Sequence, residues 1–219
     1  MYERHFGFRE RPFALSPDPA FLYRSRKHSM ALTMLEYGLT TEAPIVVITG
    51  EIGAGKTTLI RYLLNQLDER SVVGLISNTH STFGELMQWI CMAFGIDFQG
   101  KEKAALYQAF VDFLLGEYSK GRRTILVIDE AQNMDLSTLE ELRLISNINA
   151  DKNFVLQILV VGQPDLREIL KQKKLEQFAQ RIAVDYHLSS LDLKETREYI
   201  QHRLVIAAGN KNCLLYTSD

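Results

Sequence analysis

Between a run of β-branched residues, Ile45-Val46-Val47-Ile48-Thr49, and an apolar-periodic stretch beginning at Thr58, the chain reads Gly50-Glu51-Ile52-Gly53-Ala54-Gly55-Lys56-Thr57. This octet fits G-x-x-x-x-G-K-[ST] at every defined position. The apolar run before it, bounded by Pro44, predicts a strand buried on both faces. The spacing of Leu59, Ile60, Leu63 and Leu64 after it predicts a helix. A glycine turn joining strand to helix constrains the fold strongly, because it demands a strand end facing a helix N-terminus. Glycines let the backbone curl so that successive N–H groups converge on phosphate oxygens. Lys56 then supplies a point charge for the β- and γ-phosphates, and the Thr57 hydroxyl is a ligand for Mg²⁺. The helix dipole favours the same anions. Gly50, Glu51, Ile52, Gly53, Ala54, Gly55, Lys56, Thr57 and Thr58 are therefore the expected phosphate cradle.

Further strands are expected at 72–77, 124–128, 154–161 and 182–188. Helices are expected at 29–39, at 82–94 with a Thr82/Glu85 capping box, at 102–119, and at 137–148 with a Ser137/Glu140 box. Others are expected at 166–173, at 175–181, and at 192–208 between Asp192/Glu195 and Gly209. Alternating strands and helices predict an α/β fold, a parallel sheet with helices on both faces. In such sheets ligands bind beyond the carboxyl ends of the strands.

Two further features fall at those ends. Strand three closes on Asp129-Glu130, four apolar residues followed by two acids. Asp129 is placed to hold Mg²⁺ and Glu130 to orient and deprotonate a water. Strand four closes on Gly162-Gln163, and the Gln163 amide is a candidate sensor of the γ-phosphate. Arg181, one helix pair later, is a candidate finger reaching into a neighbouring subunit's site.

The 219 residues carry a net charge of −2, with 46% hydrophobic and 24% charged side chains. That balance argues against a strongly basic nucleic-acid binder. Cys91 and Cys213 suggest neither a disulfide framework nor a zinc site. The five histidines lack ligand spacing. The N-terminus lacks a signal-peptide core, and no apolar run approaches the roughly 20 residues that span a bilayer. A cytoplasmic protein without direct membrane insertion is expected. Arg24, Arg26, Lys27 and His28 form a basic cluster read first as a solvated face, with contact to nucleotide phosphates or a partner as the alternative; Lys171, Lys173 and Lys174 are read as a solvated helix end, with nucleic acid as the alternative. Trp89 is expected in the core.

Together these residues resemble an AAA+ ATPase. Phe6-Gly7-Phe8, Arg11-Pro12-Phe13, Ser16-Pro17-Asp18-Pro19, Phe21-Leu22-Tyr23 and His28 are similar to the start of ExeA-type general secretion pathway ATPases. So are Asp129-Glu130-Ala131-Gln132, Gly162-Gln163-Pro164-Asp165-Leu166 and Gln180-Arg181-Ile182. That group includes ATPases of exosortase and polysaccharide export systems, and transposition ATPases of the TnsC and MuB type share its core. The resemblance implies a five-stranded sheet in the order 5-1-4-3-2, ATP hydrolysis to ADP with Mg²⁺, and homo-oligomers that contact through the ATP site. It also implies a strap that brings Tyr23 near the adenine. The expected division is a strap and helix at 1–43, the ATPase core at 44–190, the first helix of a truncated lid at 191–209, and a non-native tail at 210–219. The leading expectation couples ATP hydrolysis to assembly of an envelope secretion or export machine. The alternatives are a DNA-binding transposition regulator and an ATP-binding switch with little turnover.

Overall fold

The computed structural model describes residues 2–14, 16–77, 85–150 and 153–209. The central parallel sheet comprises β1 (Ile45–Gly50), β2 (Ser71–Ile76), β3 (Arg123–Ile128), β6 (Leu156–Gly162) and β7 (Ile182–Leu188). Their order is β2-β3-β6-β1-β7, which is the expected 5-1-4-3-2 read from the other edge. β4 (Asn149–Ala150) and β5 (Asn153–Phe154) form a separate antiparallel pair. Phe154, expected in the fourth sheet strand, pairs with Asn149 instead, so that strand begins at Leu156.

The helices are α1 (Tyr2–Phe6), α2 (Arg26–Thr40), α3 (Lys56–Leu64), α4 (Leu86–Ala93), α5 (Lys103–Ser119), α6 (Leu136–Ile145), α7 (Asp165–Leu170), α8 (Glu176–Ala179) and α9 (Leu193–Ala208). β1 is buried at every position and alternates between two cores. Val46 and Ile48, with Ile125, Val127, Leu159 and Val161, pack under Leu35 of α2 and Leu59 of α3. Ile45 and Val47, with Leu126, Ile128, Ile158 and Val160, meet Ile90, Phe110 and Leu142 of α4, α5 and α6. Two-sided burial is why these strands read as continuous apolar runs. Each such side chain contributes about 1.5–3 kcal/mol by leaving water. Trp89 is buried as expected.

Several element ends differ from expectation for local reasons. α6 is capped by Asp135, not Ser137: its carboxylate accepts the Thr138 N–H at 2.7 Å and the Ser137 hydroxyl at 2.8 Å. An anion complements the helix N-terminus better than a hydroxyl does, and the Thr138 and Ser137 donors hold this carboxyl below its usual range. α6 also ends at Ile145 rather than at 148. α2 starts three residues early because Ser25 Oγ accepts the His28 N–H at 3.3 Å. α7 stops at Leu170, and the segment expected as one helix over 175–181 is a 3₁₀ turn, Lys173–Leu175, followed by α8. Thr82 of the expected capping box lies outside the described residues. α4 opens after Glu85, whose N–H donates to Gln88 Oε1 at 3.3 Å. The Asp192/Glu195 box and the left-handed Gly209 bound α9 as expected. Among the described residues no helix is long and apolar enough to cross a membrane.

Candidate nucleotide site

The loop between β1 and α3 turns through Gly53 (φ 78°) and Gly55 (φ 88°), the left-handed region where a Cβ is strained. Lys56, the first residue of α3, is buried and folds back to donate to the Gly50 carbonyl at 2.8 Å and the Glu51 carbonyl at 3.0 Å. Burial pulls its pKa down, opposed by the charges of Glu130, Asp129 and Glu51. A buried ammonium on neutral carbonyls is incompletely compensated, which suits a cradle built for anions.

His28 fixes the loop from behind. Its Nε2 lies 3.0 Å from the Ala54 carbonyl and its Nδ1 2.8 Å from Ser25 Oγ. A carbonyl only accepts, so Nε2 carries the proton and the unprotonated Nδ1 accepts a hydrogen bond from the Ser25 hydroxyl. Burial lowers the pKa of the ring; the Ala54 carbonyl and Glu195 act the other way, and Lys27 adds to the lowering. The solvated basic face expected from sequence is thus corrected. Arg24 and Arg26 are exposed, but His28 is buried and Lys27 bridges Glu195 (3.1 Å) and the Ser190 carbonyl (2.6 Å). Lys171, Lys173 and Lys174 are exposed, as expected.

Parallel pairing of β1, β6 and β3 delivers the other polar groups to the same end. Asp129, buried just past β3, accepts from the Thr57 hydroxyl at 2.8 Å. Glu130 adopts φ 55°, ψ 36°, unusual for a residue with a side chain. Its Oε2 accepts from Gln132 Nε2 at 2.6 Å and Gln163 Nε2 at 3.3 Å, while Gln132 Oε1 accepts the Gln163 N–H at 2.9 Å.

A cavity of about 630 Å³ opens above these groups, lined by loop residues Ile52 to Thr58, by Glu130 and by Gln163. Gly50 and Glu51 do not line it; their carbonyls hold Lys56. Its other wall joins the N-terminal strap to α9: Phe21, Leu22 and Tyr23 face Thr196, Tyr199 and Arg203. Tyr23 donates to Glu198 at 2.5 Å, which pushes its pKa up to about 12, and its ring lies against Tyr199 and His202. The Arg203 guanidinium lies 4.7 Å from the Phe21 ring centre and donates to the Pro12 carbonyl. Tyr199, Arg203 and Gln132 were not singled out as site residues from sequence. Arg203 has a local partner in Tyr199, four residues earlier, but Pro12 and Phe21 lie more than 180 residues away in the chain.

Arg181 is not brought to this site. It precedes β7, whose start aligns with the start of β1, so a strand length of about 20 Å separates it from its own loop. Half-buried, it lines a second cavity of about 590 Å³ with Arg143, Gln177 and Gln180.

A family model described as an AAA domain matches residues 39–170. The chain is 38% identical over 208 residues to the general secretion pathway protein A of Aeromonas hydrophila. That match covers 94% of this chain and 38% of the relative, so the chain spans well under half of that protein's length. Among solved structures, Cdc6p from Pyrobaculum aerophilum superposes with a TM-score of 0.69 at 18% identity, over 86% of this chain and 53% of that one. The Aeropyrum pernix ORC2 protein gives 0.67 at 19% identity, over 91% and 56%. At these identities the two structures share the fold. The chain belongs to the AAA domain family of P-loop ATPases.

Proposed function

We propose that the chain binds ATP with Mg²⁺ at the β1–α3 loop and hydrolyses it, and that nucleotide state governs its association with further copies and with an envelope export apparatus. The observation that carries the reading is the convergence of Lys56, Thr57, Asp129, Glu130 and Gln163 at one end of the sheet. Lys56 leaves the Gly50 and Glu51 carbonyls for the β- and γ-phosphates. The Thr57 hydroxyl and the Asp129 carboxylate, already in contact, are the hard oxygen donors that suit Mg²⁺. That ion, when bound, neutralises charge on the phosphates. Glu130 accepts the proton of the water that attacks the γ-phosphorus. The bond to the β–γ bridging oxygen breaks, and ADP and phosphate leave. Gln163 binds a γ-phosphate oxygen, and Tyr23 lies beside the base.

Arg181 serves the site of an adjacent copy, since it faces away from its own. The core runs over 44–190, and α9 begins a lid that the strap of residues 1–43 ties down through Arg203 and Tyr23. The export role is supported by the similarity to the Aeromonas general secretion pathway protein A.

The test is phosphate release from Mg²⁺-ATP by the purified chain, with sedimentation in ADP and in a non-hydrolysable ATP analogue. The reading predicts turnover together with ATP-dependent association. ATP binding without phosphate release would select a switch, and ATP-stimulated, salt-sensitive binding to duplex DNA would select a transposition regulator.

A further inference from the structure

Gln132 sits two residues beyond Glu130, in the 3₁₀ turn Ala131–Asn133. The left-handed backbone of Glu130 starts that turn, and buried Ala131 anchors it under the sheet end. Its amide thereby reaches across to the end of β6, 31 residues on. The orientation of this amide is dictated by chemistry. The Gln163 backbone N–H can only donate, so the group facing it at 2.9 Å is the Gln132 oxygen. The Gln132 NH₂ must then face Glu130 Oε2, at 2.6 Å, a short charge-assisted bond. Residue 162 is glycine, and a Cβ there would lie 3.0 Å from Gln132 Oε1 and 2.8 Å from Leu166 Cδ2. The close approach of the amide thus depends on a position without a side chain. The ring of contacts closes through Gln163 Nε2, 3.3 Å from the same Glu130 oxygen.

We propose that Gln132 is a positioning residue for hydrolysis, clamping the Glu130 carboxylate to the backbone at the end of β6. The proposal rests on Glu130 being the base that activates water. A free glutamate samples many rotamers, and only those aimed at the attacking water react. One bond from Gln132 selects the carboxylate orientation, and its other bond ties that orientation to Gln163. When the Gln163 amide engages a γ-phosphate oxygen, movement of its backbone is carried by Gln132 into the carboxylate. The base is thereby held in register with the γ-phosphate that the Gln163 amide binds. Displacements near 1 Å at such contacts cost on the order of 100-fold in rate.

The test separates this role from a structural cap. Gln132→Glu keeps length, shape and the acceptor for the Gln163 N–H, but replaces its donor to Glu130 by a second, repelling carboxylate. Gln132→Met removes both. Phosphate release, KM, ATP affinity and thermal midpoint are measured on each variant and on the unaltered chain. The clamp predicts that both variants lose kcat by about 10- to 100-fold, while ATP affinity stays within about threefold. A mere cap predicts a lowered thermal midpoint with full kcat in the neutral variant Gln132→Met, and that result overturns the proposal. The exchanged pair, Glu130→Gln with Gln132→Glu, restores an amide–carboxylate bond. It recovers the thermal midpoint lost by Gln132→Glu alone yet stays inactive; failure to recover also overturns the clamp. With no turnover in the unaltered chain, the hydrolytic reading fails and the positioning role fails with it. Turnover in the unaltered chain with an equal kcat in Gln132→Met refutes the clamp alone.

Discussion

Replacing His28 by alanine probes how the P-loop is held before any phosphate arrives. The ring is buried between α2 and the loop, with one nitrogen on Ala54 and the other on Ser25. Losing the bond to the Ala54 carbonyl costs about 1–2 kcal/mol, the lower part of the range for a broken buried bond, because Ala54 is only half-buried and its carbonyl regains water. Losing the packed ring adds about 1 kcal/mol of transfer energy. Denaturant unfolding of His28→Ala should therefore show about 2–3 kcal/mol less stability than the original chain. The freed loop should also bind ATP roughly tenfold more weakly, since it must be ordered on binding.

The same residue carries a pH signature. Its folded pKa is depressed below the ordinary 6.5, chiefly by burial. The neutral ring thus stabilises the fold fully above pH 6.5, and that contribution is lost as pH falls through the window below it. His202, also depressed by burial, adds a slope of the same sign to both proteins, so the difference between them isolates His28. The assay is urea unfolding of both proteins at intervals from pH 7.5 down to pH 5. The variant should show a shallower loss of stability on acidification. A difference within about 0.5 kcal/mol of zero at neutral pH, with parallel slopes, would refute the reasoning.

Three further outcomes are expected. Gly55→Ala places a Cβ 3.1 Å from His28 Nε2 at φ 88°, so it should cost about 1–2 kcal/mol of stability and weaken ATP binding, both read by ligand-dependent thermal shift. Arg203→Lys loses the planar guanidinium over Phe21 and its aimed Nε donor; chemical denaturation should report a loss of about 1–2 kcal/mol. Arg181→Ala should leave ATP affinity of the isolated chain unchanged but reduce phosphate release in assembled copies by about 10³-fold or more. Turnover that is independent of protein concentration in both proteins would remove the trans role.

The parts of this molecule legible in the sequence are those whose physics is local. The Gly50–Thr57 turn needs only its own glycines, and β7 begins and ends where the alternation of Ile182 to Leu188 does. The Asp192/Glu195 box and Gly209 bound α9 within one turn of each end. The strand ends place Asp129, Glu130 and Gln163 together because parallel register does so wherever the fold is right. What sequence did not disclose depends on contacts between distant segments. His28 stands in a run of basic residues, and only the packing of α2 behind the loop makes it a buried brace. Gln132 reads as a loop residue until β6 is laid beside it. Ser137 reads as the cap of α6 from its spacing to Glu140, but Asp135 takes the Thr138 N–H and the Ser137 hydroxyl itself, which starts the helix earlier.

On this reading Glu130 activates the attacking water and takes no part in holding the nucleotide. The direct measurement is single-turnover phosphate release from ATP by Glu130→Gln beside the unaltered chain, at saturating Mg²⁺, with ATP affinity determined on the same samples. The account predicts unchanged affinity and a rate lower by about 10²- to 10⁴-fold, the span that general-base catalysis supplies. Equal rates in the two proteins would contradict it.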